Sequence, residues 1–326
     1  MSAAHRPVVT VLTAPGEPAL PGVAALRARA EVRFACDEAT LREALPGTEV
    51  MMVTDFRTEA LAAAWPAADR LQWVHATSAG VDALMFPALV EGAVTVTNAR
   101  GIFDRTIAEY VLCTILMFAK DFPRSIRCQL EHRWQHRDTE RAEGRRVLVV
   151  GAGSIGRQIA RLARAIGLHV HGIARSAHDD DPDFVAVHSQ ADLLAQLALA
   201  DYVVIAAPLT PQTAGLFDAR AFAAMRTGAR LINIGRGPIV KTDDLISALK
   251  AGEIAGAALD VFEEEPLPAG HPLWDMDNVI MTAHMAGDFI GWRRALTDQF
   301  LENFDRWHRG EALFNQVNKA LGYAGA

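Results

Sequence analysis

Cysteine is scarce in this chain. Cys36, Cys113 and Cys128 are the 3 cysteines among 326 residues, and their spacings form neither an even disulfide framework nor a metal-ligand pattern. A reducing cytoplasm is the expected compartment, and no metal is expected. Long apolar runs are missing too. None reaches the roughly 20 residues of a spanning helix, and the opening stretch MSAAHRP has no apolar signal core, so neither export nor membrane insertion is expected. Charge of one sign is nowhere concentrated. The formal net charge is −7 and no like-charge block exceeds residues 179–181, which gives no reason to expect nucleic acid or an anionic membrane as partner. Low-complexity segments are absent.

Apolar residues are plentiful. They make up 51% of the chain, enough for two cores of ordinary domain size. β-rich runs at 8–14, 31–35, 49–54, 71–76 and 94–97 alternate with helical stretches at 23–30, 38–45 and 58–64. Strands separated by single helices predict a parallel, doubly wound sheet. A long apolar helix follows over 106–119, with Ile107, Tyr110, Val111, Thr114, Ile115 and Phe118 at three-and-four spacing, suited to bridging two domains. The polar segment 124–143, with Trp134 among basic side chains, reads as a solvated helix. Alternation then resumes with strands at 147–150, 168–173, 202–206, 229–234, 257–261 and 279–282 and helices at 193–199, 219–225 and 242–251. A closing helix over 292–309 is expected to return to the first unit, which has no C-terminal closure of its own.

The stretch VLVVGAGSIG at 147–156 organises the second alternation. Four apolar residues suit a buried strand, and Gly151, Gly153 and Gly156 fall at the G-x-G-x-x-G spacing that opens a helix. Gly151 permits the tight turn, Gly153 bares backbone for a pyrophosphate, and Gly156 lets the helix pack on its strand. A glycine triplet alone is weak, but here a strand precedes it, and Ile159, Leu162, Ala163 and Ile166 make the following helix amphipathic. A dinucleotide site is predicted. Where an NAD site carries an acid at the tip of the second strand, this chain reads GIARS at 172–176. Ala174 takes the acidic position, while Arg175 and Ser176 offer a cation and a hydroxyl suited to a phosphomonoester. NADP is favoured, with NAD the alternative: an exposed arginine can stack on adenine, and the acidic run 179–181 would repel phosphate unless turned away. In the first unit, ATSAGVD at 76–82 is a small-residue turn after a strand end. The amides of Ser78, Ala79 and Gly80 suit a carboxylate, and an ordinary turn accounts for them equally well.

Four further motifs, each after a strand, are APLTPQT at 207–213, INIGRGP at 232–238, AALDVFEEEPLP at 257–268 and TAHMAG at 282–287. Together they resemble the D-isomer-specific 2-hydroxyacid dehydrogenase family, in its glyoxylate/hydroxypyruvate reductase-like branch, over nearly the whole chain. The resemblance implies an α/β fold of two Rossmann-like doubly wound parallel-sheet domains with a cleft between them. The expected substrate domain is 1–102 plus 289–326, and the expected NAD(P)-binding domain is 103–288. It implies an oxidoreductase (EC 1.1.1.-) that reduces a small 2-oxo acid by hydride transfer, and a homodimer formed through the cofactor domain.

By the same resemblance Arg236 is the catalytic arginine; its planar fork can grip a carboxylate and polarise the adjacent carbonyl. His284 corresponds to the acid/base histidine, which delivers a proton as hydride arrives. Among Glu263, Glu264 and Glu265, the family's carboxylate falls just before Pro266, on Glu265, where it would hold the second nitrogen of His284. Asp260 resembles the residue that binds the nicotinamide carboxamide. Pro208 and Ile234 resemble apolar cofactor contacts and Thr106 a polar one, with Ser154 and Ile155 joining the glycine turn. The 2-oxo acid is expected to bind Arg236 and the 78–80 amides. Two departures stand out: Ala283 replaces the proline usual before the histidine, and Arg100 stands where proline is frequent. Arg100 or Arg57 would suit a second substrate carboxylate, or a plain surface. Two rivals share the fold. A corepressor-like dinucleotide sensor has no need of a proton donor, and a formate-dehydrogenase-like oxidase dispenses with the glutamate at 265. The absence of an appended regulatory domain weighs against phosphoglycerate.

Overall fold

The β-branched and aliphatic runs form strands that lie parallel within each of two sheets. The computed structural model describes residues 5–54, 59–178 and 180–324, so Arg57, Thr58 and Asp179 lie outside the described residues. Two units emerge, Met1–Phe103 with Phe289–Ala326, and Asp104–Asp288.

In the first unit β1 (Val8–Leu12), β2 (Glu31–Ala35), β3 (Val50–Val53), β4 (Trp73–Ala76) and β5 (Thr95–Thr97) pair in the order β2-β1-β3-β4-β5. Helices α1 (Glu38–Ala44), α2 (Ala60–Ala64) and α3 (Pro87–Glu91) connect them. Both faces of the sheet are covered, as a parallel sheet requires. In β3, Met51 and Val53 join the cluster beneath Leu41, Leu61 and Leu89, while Val50 and Met52 join the opposite one.

The second unit opens with α4 (Asp104–Ala119) and α5 (Phe122–Leu130). There follow β6 (Arg146–Val150), α6 (Ser154–Ala165), β7 (His169–Ala174), β8 (Val187–Ser189), α7 (Leu193–Leu197), β9 (Tyr202–Ile205), α8 (Ala219–Ala224), β10 (Arg230–Asn233), α9 (Thr242–Ala251), β11 (Gly256–Leu259) and β12 (Val279–Met281). The seven-stranded order β12-β11-β10-β9-β6-β7-β8 reverses between β6 and β9. That reversal opens a crevice at the carboxyl ends of the strands, beside the glycine turn.

The last helix, α10 (Trp292–His308), belongs to the first unit. Its Leu296, Phe300 and Phe304 bury against Val9, Val11 and Trp73. Phe300 stacks on the Trp73 indole with centroids 5.1 Å apart and planes at 16°.

Several expected elements differ. The alanine-rich stretch at 23–30 is a 3-10 turn, Val23–Ala28, which starts at Gly22, in a left-handed conformation and without a side-chain cap. The segment 124–143 is helical only to Leu130, and the helix it contains begins earlier, behind Pro123 at its first turn. Strand β8 and helix α3 were not anticipated; both are short and carry no clear periodicity.

Behind the Trp73–Phe300 stack lies His75, fully buried. Its Nδ1 bonds the Thr97 hydroxyl at 2.8 Å, which also takes the Trp73 indole N–H, and its Nε2 has no partner among the described residues. Burial holds its pKa down at about 3, so the native ring is neutral. Above pH ~6.5 the ring is neutral in folded and unfolded chains alike; below it, only the unfolded chain takes up a proton. The first unit should therefore lose roughly 2 kcal/mol between pH 7.5 and 5 on this account. Denaturant melts should show that slope flattened in His75→Gln, and an unchanged slope would remove His75 as its source.

Candidate active site

Because β6 to β12 are parallel, their following turns gather along one edge of the sheet. At the turn after β6 the backbone is crowded. Gly151 has φ +112°, and a Cβ there would lie 2.7 Å from the Ala206 carbonyl. A Cβ on Gly156 would overlap the Gly151 carbonyl oxygen, so those two glycines are demanded by the protein itself. Gly153 is different. Nothing lies within 4 Å of its Cβ position, at the start of α6. Bare backbone facing open space at a helix N-terminus fits a diphosphate. Ile155 is half-buried beside it. Ser154 donates its hydroxyl proton to the buried Asp104 carboxylate, leaving its backbone N–H to offer an anion.

Ala174 ends β7, and Arg175 and Ser176 follow it exposed. Of the acidic run 179–181, Asp180 is exposed and Asp181 is turned into the protein. Asp181 has a side chain only 2% exposed, bonded to Arg157 of α6 at 2.8 Å and to His178 at 3.0 Å. Burial pushes its pKa up, but hydrogen bonds from Arg157, the Asp183 amide and His178 outweigh that and hold it at about 2. Asp183 is gripped by Arg161 at 2.6 Å. The arginines of α6 thus draw these carboxylates inward. Farther along the edge, Pro208 is half-buried after β9 and Ile234 is buried after β10, while Thr106 is half-buried on α4.

The turn after β10 carries Arg236. Asn233, 1% exposed, holds it by accepting the Gly235 amide at 3.1 Å and donating to the Arg236 carbonyl at 3.1 Å. Arg236 Nη1 donates to the Gly235 carbonyl at 2.9 Å. Glycine is required at 237, since a Cβ there would overlap the Phe262 carbonyl. The turns after β10 and β11 are thereby in backbone contact. Nothing in the motif pointed to Asn233 as the clamp, although an asparagine beside a glycine-rich turn is a recognisable signal.

Phe262 also donates its amide N–H to Glu265 Oε1 at 3.0 Å, and Glu265 Oε2 meets His284 Nδ1 at 2.8 Å. Glu263 is used elsewhere, accepting the Thr242 amide at the start of α9. A carboxylate accepts, so Nδ1 carries the proton facing Glu265 and the Nε2 side of the ring is the one available for proton exchange. His284 follows β12 with φ +52°, a left-handed conformation that costs a non-glycine residue roughly 1–2 kcal/mol. Asp260, 2% exposed, stabilises it. The Asp260 carbonyl accepts the His284 amide at 2.8 Å, and its carboxylate accepts Thr282 Oγ1 at 2.6 Å, the Met285 amide at 2.9 Å and the Ala286 amide at 3.0 Å. Of about four acceptor positions on a carboxylate, one is left for a further donor.

In the first unit, the turn after β4 is fixed by its carbonyls. Ser78 Oγ donates to the Gly80 carbonyl at 2.6 Å, Asn98 Nδ2 to the Ala79 carbonyl at 2.6 Å, and the Ala99 amide to the Ser78 carbonyl at 3.0 Å. No acceptor for the amides of Ser78, Ala79 and Gly80 is found among the described residues. The Arg100 carbonyl is held by Gln299 and Asn315. Among the described residues no group of His, Cys, Asp and Glu could hold a metal ion.

Residues 112–286 match the family model described as D-isomer specific 2-hydroxyacid dehydrogenase, NAD binding domain. The glyoxylate/hydroxypyruvate reductase A of Serratia proteamaculans is 31% identical over 262 residues, 78% of this chain and 82% of that one. A crystal structure of a D-isomer specific 2-hydroxyacid dehydrogenase from Xanthobacter autotrophicus, in complex with NADPH and MES, superposes with TM-score 0.80 at 33% identity, covering 97% of this chain and 99% of that one. An NADPH-dependent glyoxylate/hydroxypyruvate reductase from Sinorhizobium meliloti, in complex with NADP and sulfate, superposes with TM-score 0.83 at 29% identity, covering 98% of this chain and 100% of that one. The chain belongs to the D-isomer specific 2-hydroxyacid dehydrogenase family.

Proposed function

We propose that this chain is an NADP-dependent reductase of small 2-oxo acids, of the glyoxylate and hydroxypyruvate class, forming the D-2-hydroxy acid. The observation that carries this reading is the Glu265–His284 pair, tied through Phe262 to the turn that bears Arg236, on the sheet edge that also carries the glycine turn. The relatives named above are reductases of these acids or bind NADP(H), and Arg175 with Ser176 supports the phosphorylated cofactor. A nucleotide-sensing protein has no use for a histidine whose Nδ1 is held by a carboxylate, which favours the enzyme.

The residues divide the work. The glycine turn, Ser154, Ile155, Arg175, Ser176, Thr106, Pro208, Ile234 and Asp260 would hold the cofactor, which would supply the hydride. Arg236 takes the substrate carboxylate in its guanidinium fork and draws electron density from the neighbouring carbonyl. The amides of Ser78, Ala79 and Gly80 are donors of a kind that also suits a carboxylate. His284 gives the Nε2 proton to the carbonyl oxygen, and Glu265 stabilises the imidazolium and keeps Nδ1 protonated after transfer.

We further propose a homodimer through the second unit, working in a reducing cytoplasm. On α5, Phe122, Ile126 and Leu130 recur every four residues with exposures of 52, 46 and 76%, and Trp134 beyond them is fully exposed. An apolar stripe of this kind marks an interaction surface. The three cysteines are unpaired, and among the described residues no helix is long and apolar enough to cross a membrane. Light scattering should give the mass of a dimer, and Leu130→Asp with Ile126→Asp should give a monomer. A monomeric wild type would overturn this part.

Steady-state kinetics with glyoxylate and hydroxypyruvate test the main reading. Wild type should use NADPH with higher kcat/KM than NADH, and Arg175→Ala should lose most of that preference. His284→Ala or Arg236→Ala should lower kcat by about 100-fold or more while the fold persists. A marked preference for NADH, or near-wild-type rates in either variant, would defeat the corresponding assignment.

A further inference from the structure

Building on the reductase reading, we propose that Tyr110 and Thr282 are positioning residues for His284, acting through the Asp260 carboxylate. Tyr110 of α4 and Thr282 after β12 are 172 residues apart, yet their hydroxyl oxygens lie 2.8 Å from each other. Thr282 Oγ1 lies 2.6 Å from Asp260 Oδ1, and the same carboxylate accepts the Met285 and Ala286 amides on either oxygen. The available protons dictate the direction of this chain. A carboxylate only accepts, so the Thr282 proton points to Asp260. A hydroxyl has a single proton, so Thr282 must accept from Tyr110. The Tyr110 phenol keeps its proton through the neutral range, because burial pushes its pKa up to about 12.

This chain matters because of what the carboxylate holds. His284 sits in left-handed backbone without the rigidity of a preceding proline, since position 283 is alanine. The Asp260 carbonyl and carboxylate bind the amides on and just after His284. A rotation of the Asp260 side chain would release Met285 and Ala286 together. Thr282 grips that carboxylate at Oδ1, and Tyr110 orients the Thr282 hydroxyl from α4. Neither hydroxyl has to touch a substrate to matter. The pair links the helix that opens the second unit to the turn that presents the imidazole, whose Nδ1 Glu265 already fixes. One support on the ring and another on the backbone that carries it are what a proton donor requires when small displacements are costly.

The test uses the full chain as Tyr110→Phe, Thr282→Val, the double variant and Thr282→Ser. For each, kcat and KM for hydroxypyruvate are measured with NADPH, NADPH Kd is measured by its fluorescence, and amide hydrogen exchange is followed over 282–287 without substrate. Tyr110→Phe should lower kcat about five- to tenfold with KM and NADPH Kd within about twofold of wild type. Thr282→Val should lower kcat further, and the double variant should be no worse than Thr282→Val, because both act through one link. Thr282→Ser, which keeps the hydroxyl, should restore the rate. Exchange at Met285 and Ala286 should accelerate in Tyr110→Phe and Thr282→Val. Unchanged kcat in Tyr110→Phe, losses that multiply in the double variant, or losses confined to NADPH Kd would overturn the proposal. A wild type that turns over no 2-oxo acid would instead overturn the reductase reading; unchanged exchange over 282–287 in Tyr110→Phe would then overturn the positioning link by itself.

Discussion

Strand direction is the constraint on which this structure depends. With β6 to β12 parallel, every turn at their carboxyl ends opens on the same edge, and residues far apart in sequence become neighbours there. The turns lie so close that side chains are excluded at particular points: the Gly237 backbone is against the Phe262 carbonyl, and Gly151 is against Ala206. Close backbone approach then becomes chemistry. Phe262, pinned beside the arginine-bearing turn, offers its amide to Glu265, and Glu265 reaches His284. A glycine chosen for space in one turn thus helps to orient a carboxylate in the next.

Asp260 plays the corresponding part at the last turn. Burying a carboxylate to 2% exposure is costly unless its lone pairs are satisfied. Here the donors are a hydroxyl and two amides of the segment that carries His284, so satisfying the charge and shaping that segment are one event. The bonds that satisfy the buried charge also offset the left-handed backbone at His284. The first unit shows a different economy. Its sheet is closed by a helix from the far end of the chain, whose Phe300 covers Trp73 and His75.

Much of this was legible in the sequence, because the governing signals are local. Strand runs such as RVLVV in β6, the glycine spacing after it and the alternation with amphipathic helices all report on residues within a turn or two of each other. The GRG turn was readable as a motif, and the resemblance chose Glu265 among the three glutamates; its carboxylate meets His284, while that of Glu263 meets the Thr242 amide. Long-range side-chain partners were not readable. Tyr110 looked like one more apolar position of α4, since nothing near it in sequence announces Thr282. Asn233 hid inside a strand end, and β8 is only three residues long. The inward turn of Asp181 depended on Arg157, a residue on another element. The exposed stripe of α5 was masked by the arginines interleaved with Phe122, Ile126 and Leu130.

The central claim is that hydride and proton reach a 2-oxo acid on one edge of the second sheet and leave a D-configured alcohol. Its most direct measurement is a turnover of hydroxypyruvate with NADPH carrying deuterium at both nicotinamide C4 positions, followed by mass and chiral analysis of the product. The account predicts D-glycerate carrying deuterium at C2. A product without deuterium, or one of L or mixed configuration, would contradict it.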